Sequence, residues 1–311
     1  MSANNLQSGE SSFIQTYKAE LILLIVTFSW GLSFPLIKIS LQFISPVLFV
    51  FIRFLITIVI FYFLFRKKLD LKNFKKWEKG IILGFFLFLG FALQTLGLKH
   101  TTASKSAFIT GTALIVIPFA QYFILKTKPK TENIAGAVIV MTGLYILSEA
   151  YFLKPNLGDV LTLFCAFCFA IHIVLLNRYT TADNFNYLAF GQFLTMTVMS
   201  FIFMIVFEIF IYDELFFIYN STLFVTLLYT SIFSTLVSII LVTKYQQMTT
   251  PLRAGIIYNM ESIFAVFFAF IILNEFLNFS QIIGAIIMIT GLLISEFYSF
   301  IKFKLSYGNK D

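Results

Sequence analysis

The chain has 311 residues, of which 59% are hydrophobic, 12% are charged and 42 are phenylalanine. Soluble domains carry about 25% charged residues, so this composition excludes an ordinary water-soluble protein and predicts one that lies in lipid. The formal net charge of +7 comes from cations spread over the loops, which indicates contact with anionic lipid headgroups rather than nucleic-acid binding.

The two ends of the chain are polar. Residues 1–20, MSANNLQSGESSFIQTYKAE, are predicted to form a disordered cytoplasmic N-terminus, and residues 302–311 a cytoplasmic tail. No basic region leads the chain and no small-residue cleavage site follows in the first apolar run. We therefore do not expect a cleaved signal peptide.

Between these ends lie the membrane spans. A helix needs about 20 apolar residues to cross a hydrocarbon core of about 30 Å. We find no alternating segments of the kind that build a membrane barrel, so the runs are predicted to be helices. The ten predicted spans are 21–39, 45–65, 80–98, 106–125, 133–151, 158–177, 186–209, 222–243, 254–273 and 281–301.

The distribution of cations orients these spans. With the N-terminus in the cytoplasm, 17 Lys and Arg residues fall in cytoplasmic segments and four fall outside, at Lys38, Lys99, Lys105 and Lys154. Cytoplasmic loops are enriched in Lys and Arg. Both termini are therefore predicted to be cytoplasmic, in a plasma membrane and specifically a bacterial inner membrane.

The sequence also repeats. A shift of 148 residues without gaps places TTASKSAFITGTALIVIPFAQYFIL (101–125) on TTPLRAGIIYNMESIFAVFFAFIIL (249–273), and NIAGAVIVMTGLYIL (133–147) on QIIGAIIMITGLLIS (281–295). Two halves of five helices follow, residues 21–151 and 158–301. Because five is odd, the second half enters the membrane from the opposite side. Inverted repeats are typical of transporters with a site near the midplane between the halves.

Three segments carry a resemblance to a known family: FSWGLSFPLIK (28–38), SPVLFVFIRF (45–54) and the stretch from TTPLRAGIIYNMES to GLLIS (249–295). They resemble the EamA-type branch of the drug/metabolite transporter superfamily. The resemblance implies ten helices in two inverted halves, export of small metabolites such as amino acids and their derivatives, and a cavity formed mainly by spans 1, 3, 4, 6, 8 and 9. Two positions depart from the family pattern. Ser262 stands where a proline usually follows the glutamate, and Thr127 stands in the first half at the position equivalent to the acidic Glu275.

On that basis we predict a substrate-binding set drawn from polar and aromatic residues within these spans. Glu261 lies roughly 12 Å into span 9, near the midplane, where an ionisable group is costly and is a functional candidate. It is either a proton or substrate-amine site or a structural carboxyl bonded to a neighbouring helix. The predicted set is Trp30, Gln94, Thr110, His172, Tyr229, Tyr258 and Glu261.

Individual residues leave alternatives open. His172 suits a proton relay because its unperturbed pKa is near neutral, although a lone histidine is more often a helix-contact residue. Trp30 at mid-depth beside Gly31 and Pro35 predicts a broken, cavity-lining helix rather than simple packing. Arg53 at similar depth is predicted to be structural or to reach the headgroups. Cys165 and Cys168 are predicted to be packing residues.

These features favour a secondary transporter that exports a small metabolite by proton coupling or exchange. The chain has no P-loop motif for nucleotide hydrolysis, and no cofactor is expected. The expected partners are a small-molecule substrate and membrane lipids, with the protein a monomer or homodimer. An intramembrane enzyme acting on lipids and a channel remain the alternatives, although His100 and His172 lie far apart and form no metal motif.

Overall fold

The computed structural model describes residues 3–70, 72–148, 156–181, 184–211, 213–274 and 278–308. Over these residues the regular structure is helical, with one isolated antiparallel bridge between Ile44 and Phe217. Eight helical segments are long and apolar enough to cross a membrane, and two apolar segments are shorter. We number them α1 Tyr17–Ser40, α2 Pro46–Lys68, α3 Glu78–His100, α4 Ala103–Leu125, α5 Thr131–Leu147, α6 Leu157–Tyr179, α7 Phe185–Ile211, α8 Ser221–Met248, α9 Pro251–Leu273 and α10 Phe279–Ser295.

Each predicted span falls on one of these helices, but the ends of the chain differ from the prediction. The helix that contains α1 begins at Ala3, so most of the segment predicted to be disordered is helical. The helix that contains α10 continues to Gly308 and takes in most of the predicted tail. No proline interrupts either polar segment, so the hydrogen-bond ladder can continue out of the apolar part. Tyr151, at the predicted end of the first half, and Glu275 lie outside the described residues.

Matching backbone features recur 148 residues apart in the two halves. Thr102 and Thr250 cap the starts of α4 and α9, where each hydroxyl accepts a hydrogen bond from the backbone N–H three residues further on. The same two helices end at Lys126 and Asn274, with φ values of 57° and 53°. Left-handed backbone is uncommon outside glycine, so its occurrence at two equivalent positions supports a duplicated unit.

The two copies run in opposite directions across the membrane. Lys38, near the end of α1, donates from Nζ to the carbonyl of Thr101 just before α4, at 2.7 Å. Glu20, near the start of α1, accepts a hydrogen bond from the hydroxyl of Thr249 just before α9, at 3.0 Å. The equivalent helices α4 and α9 therefore start at opposite ends of α1, as an inverted repeat requires.

Glycines on α5 and α10 form the seam between the halves. A Cβ atom on Gly143 would lie 2.7 Å from the carbonyl oxygen of Gly284, and one on Gly291 would lie 3.0 Å from that of Gly136. The contacts are reciprocal, because Gly136 and Gly143 correspond to Gly284 and Gly291 under the 148-residue shift. A two-fold axis perpendicular to these antiparallel helices, and so in the bilayer plane, relates the two. The predicted fold of two inverted five-helix repeats is confirmed.

Arg53 is held inside the protein and does not reach the headgroups. Its side chain is 1% exposed. Nε donates to Thr235 Oγ1 at 2.6 Å, Nη2 donates to Ser234 Oγ at 3.1 Å, and the guanidinium lies 4.7 Å from the centre of the Phe91 ring. Both acceptors belong to a π-helical stretch of α8, Thr230–Val237. Arg53 thus ties α2 to α8 and α3, which agrees with the structural alternative.

Candidate substrate-binding site

Two helices are locally distorted near the middle of the protein, where the halves meet. The regular α-helix lapses for one residue at Thr112 in α4 and at Asn259 in α9, although both residues keep right-handed helical dihedrals. Gly111 and Asn259 are equivalent positions, and a Cβ atom on Gly111 would overlap the Asn259 side-chain oxygen. The two distorted helices therefore meet closely at the interface between the repeats.

α1 itself is not interrupted. The helix runs without a break through Gly31 and Pro35, so the prediction of a broken first span is wrong. The Ser33 hydroxyl donates to the Trp30 carbonyl at 2.6 Å, within the turn that precedes Pro35. Trp30 nevertheless lines the cavity, with its indole N–H donating to the Ser234 carbonyl at 3.0 Å.

A cavity of about 80 Å³ lies beside these two distorted positions. It is lined by α1, α3, α4, α6, α8 and α9, the six helices that the family resemblance implied. One water occupies about 10–15 Å³ of such a volume, so the space holds several waters or one small polar group. Of the seven predicted site residues, the structure places six around the cavity: Trp30, Gln94, Thr110, His172, Tyr258 and Glu261.

Tyr229 is not among the residues that line the cavity. Its hydroxyl lies 3.0 Å from Ser29 Oγ and donates to the Ser29 carbonyl at 3.0 Å. The residue precedes the π-helical stretch of α8, so its side chain is directed at α1 and joins the two helices. In this structure Tyr229 is a contact between α8 and α1 and not part of the cavity wall, and its predicted role in substrate binding stays a prediction.

Three glutamines fix the polar side chains of the cavity. Gln94 donates from Nε2 to Thr110 Oγ1 at 3.1 Å, while Tyr258 donates from its hydroxyl to Gln246 Oε1 at 2.9 Å. Thr110 and Tyr258 are equivalent positions of the two repeats, so each half supplies one glutamine-held hydroxyl. The site set drawn from the sequence lacked Gln246, because this residue lies three positions beyond the predicted end of the eighth span, whereas the helix continues to Met248.

The third glutamine orients His172. Gln192 donates from Nε2 to the Leu188 carbonyl at 3.3 Å and to Thr243 Oγ1 at 3.2 Å, and its Oε1 lies 2.9 Å from His172 Nε2. An amide oxygen only accepts hydrogen bonds, so in this arrangement the His172 proton sits on Nε2. Nδ1 is then the ring nitrogen that can accept a proton.

Glu261 is the acidic residue of the cavity wall. Its side chain is 8% exposed, and no hydrogen bond or ion pair to its carboxylate occurs among the residues that the structure describes. It lies two residues after the distorted position Asn259 and lines the cavity. A carboxylate is tolerated at this depth because it meets the cavity rather than acyl chains.

Aromatic rings and a second open acceptor complete the site. The rings of Trp30 and Tyr258 meet edge to face, with centroids 5.4 Å apart, and Phe91 and Phe169 form another such pair at 5.4 Å. The side-chain oxygen of Asn259 is buried and has no hydrogen-bond donor within the described part of the chain. The cavity thus combines ring surfaces with two acceptor groups that lack donors.

Known proteins share this architecture. In Archaeoglobus fulgidus, a relative named "Uncharacterized transporter" is 32% identical over 288 residues, which cover 93% of this chain and 89% of the relative. "Uncharacterized transporter YoaV" of Bacillus subtilis is 23% identical over 90% of this chain and 97% of its own length. One solved crystal structure aligns with a TM-score of 0.71 at 14% identity over 90% of this chain and 98% of its own, a likeness of fold.

The family match agrees with the two halves seen in the structure. The EamA-like transporter family matches residues 17–149 and again residues 156–297. The first match spans α1–α5 and the second spans α6–α10. This chain is therefore a multi-pass membrane protein that belongs to the EamA-like transporter family.

Proposed function

We propose that the protein is a secondary transporter that exports a small amine-bearing metabolite, such as an amino acid or a derivative, by alternating access. The observation that carries the proposal is the buried Glu261 carboxylate, which borders the cavity without a partner among the described residues. A substrate ammonium group would supply the missing donors and the opposite charge. The Asn259 oxygen, also without a donor, would accept a further hydrogen bond.

The aromatic wall fits the same class of substrate. Trp30, Phe91, Phe169 and Tyr258 present ring faces and edges to the cavity. Ring faces attract cations and also pack against apolar groups. An amphipathic amine would make both kinds of contact, whereas a purely anionic substrate would be repelled by the negative charge of Glu261.

Glu261 also offers a route to coupling. Either a proton or a substrate ammonium can neutralise its charge, and the two would compete for one carboxylate. Such competition supports proton-coupled transport or exchange, since a carboxylate emptied of substrate on one side can return with a proton. The excess of cations at the face where α1 begins supports a plasma-membrane protein with both termini in the cytoplasm. It would work as a monomer or homodimer with lipids and substrate as its partners.

A flux screen in proteoliposomes tests the proposal. Purified protein would be reconstituted and offered amino acids, their amines and their N-acetylated forms, with and without a pH gradient. We expect counterflow of at least one amine-bearing compound, loss of that counterflow when its nitrogen is acetylated, and a response to the gradient. Counterflow of acetylated and free forms at equal rates would contradict the proposed substrate class. Ion currents far above carrier rates would indicate a channel instead.

A second prediction concerns His172 and the glutamine that orients it. We expect His172→Phe and Gln192→Met each to lower transport by about tenfold or more, because a fixed proton acceptor is lost in both. The double variant should be no worse than His172→Phe alone, since Gln192 acts through the imidazole.

The measurement is substrate flux at equal amounts of reconstituted protein. Gln247→Met is the matched control, because among the described residues that amide donates to the Lys244 carbonyl alone, within its own helix turn. Multiplying losses in the double variant would show that Gln192 does not work through His172.

A further inference from the structure

Four charged residues outside the cavity form two buried ion pairs. Lys105 Nζ lies 2.6 Å from Asp159 Oδ2, and each side chain is 10% exposed. Arg253 Nη2 lies 2.8 Å from Glu20 Oε1, with 10% and 6% of the side chains exposed. Exposed ion pairs contribute little to folding, whereas a buried pair resists separation because each charge would be left without its counter-charge.

The two pairs occupy equivalent positions in the inverted repeats. Lys105 and Arg253 lie 148 residues apart on α4 and α9, and the acids lie near the starts of α6 and α1. The neighbouring hydroxyls match as well. Thr101 donates to Asp159 at 2.9 Å, and Thr249, also 148 residues further on, donates to Glu20 at 3.0 Å.

Each pair joins one half to the other, and the two lie at opposite faces. The inner pair, Glu20–Arg253, links α1 to α9 at the face where α1 begins. The outer pair, Lys105–Asp159, links α4 to α6 at the face where α1 ends, as the bond from Lys38 to Thr101 shows. The cavity lies between the two pairs along the membrane normal. Its lining residues begin at Thr110 on α4, after Lys105, and at Gly255 on α9, after Arg253.

We propose that these four residues are positioning residues of the transport cycle, with the outer pair closing the outer mouth of the cavity and the inner pair closing the inner mouth. The proposal rests on the alternating-access function proposed above. In an inverted repeat, the outward-open and inward-open states exchange the conformations of the two halves. One pair therefore parts in each open state while its counterpart stays formed. Both pairs are formed in this structure, which agrees with a closed form holding a cavity of only about 80 Å³.

Neutralising one acid should then bias the protein toward one open state. Asp159→Asn removes the counter-charge of Lys105 and should favour the outward-open state, while Glu20→Gln should favour the inward-open state. A substitution that destabilises the closed and open forms equally would leave their relative populations unchanged. The two substitutions should shift the balance between the open states in opposite directions. This property distinguishes residues that close the mouths from residues that only hold helices together.

The experiment reads the cavity from each side with a single cysteine. Ser33→Cys places a thiol of similar size on the cavity wall, in a background in which the two buried cysteines, Cys165 and Cys168, are replaced by alanine. A membrane-impermeant maleimide would be applied to right-side-out and inside-out vesicles. The measured quantity is the ratio of the labelling rates from the outside and from the inside.

We expect Asp159→Asn to raise this ratio, and Glu20→Gln to lower it, each on the order of tenfold, which corresponds to about 1.4 kcal/mol between the two open states. The matched controls are the exposed ion pairs at each face. Glu214→Gln breaks the exposed pair with Lys99 at the outer face, Asp70→Asn breaks the exposed pair with Lys76 at the inner face, and both should leave the ratio unchanged. The charge swap Lys105→Glu with Asp159→Lys should restore the wild-type ratio, which keeps the test informative if Asp159→Asn folds poorly.

The outcomes separate the two proposals. Equal ratios in all variants, or shifts in the same direction for Asp159→Asn and Glu20→Gln, would overturn the assignment of the mouths while leaving alternating access intact. If the Ser33→Cys protein with both ion pairs intact is labelled from one face alone, the result would contradict alternating access itself, and with it the assignment of the mouths.

Discussion

Glu261→Gln is expected to weaken binding of amine substrates by roughly 10- to 100-fold, because a hydrogen bond to a charged group contributes about 1.5–3 kcal/mol. Glutamine keeps the size and the carbonyl oxygen of the side chain but cannot carry the negative charge. The side chain borders the cavity and has no hydrogen bond or ion pair among the described residues, so its replacement by an amide of the same size breaks no such bond there. The folded protein should remain extractable and monodisperse.

The same substitution should remove the response of transport to a pH gradient, because glutamine does not exchange a proton. Substrate binding to detergent-solubilised protein and flux at several pH values measure the two effects separately. Glu214→Gln is the control, since that carboxylate is exposed and pairs with Lys99 at the surface. Wild-type affinity together with a wild-type pH response in Glu261→Gln would remove this carboxylate from the mechanism.

Gly284→Val should have the largest effect on the folded protein. The Gly284 backbone touches the backbone of Leu147 on the facing helix, and a Cβ atom there would overlap it and lie 2.7 Å from the Gly143 carbonyl oxygen. Backbone cannot turn aside as a flexible side chain can, so α5 and α10 would have to separate. Overpacking costs typically 1–3 kcal/mol and more where the neighbours cannot move, and we expect about 3 kcal/mol or more here.

Gly255→Ala provides the comparison, because the atoms nearest its new Cβ are the ends of the Ile117 and Leu114 side chains. Thermal unfolding in detergent, followed by the loss of the monodisperse peak in size-exclusion chromatography, should show a much lower midpoint for Gly284→Val than for Gly255→Ala. Equal midpoints would show that the α5–α10 seam does not hold the halves together.

The sequence predicts the architecture well because duplication leaves a regular signal. The ungapped shift of 148 residues aligns α3 to α5 with α8 to α10, and the odd number of helices then fixes the inversion. Six of the predicted site residues line the cavity, because the family resemblance implied which six helices form it and polar residues within those apolar spans are few. The same reasoning did not place Tyr229, because a helix position alone does not say which neighbour the side chain meets.

The two buried ion pairs were not predicted from the sequence, for a related reason. Glu20 and Asp159 are equivalent at a shift of 139 residues, whereas the basic residues they bind are equivalent at 148. The single ungapped shift therefore sets Glu20 against Cys168, and the symmetry of the acids is hidden. The local distortions of α4 at Thr112 and of α9 at Asn259 were missed as well, because neither position is a proline. There the close approach of Gly111 and Asn259 is a tertiary effect that local sequence does not record.

The inverted repeat is the claim on which the cavity, the proposed transport and the paired mouths all depend. Lys130 and Asn278 are equivalent, exposed positions 148 residues apart, before α5 and before α10. Single cysteines at these two positions, labelled with an impermeant maleimide in intact cells and in inside-out vesicles, test it most directly. We predict that Lys130→Cys reacts only from the cytoplasm and Asn278→Cys only from outside. Reaction of both from the same side would contradict the inverted arrangement.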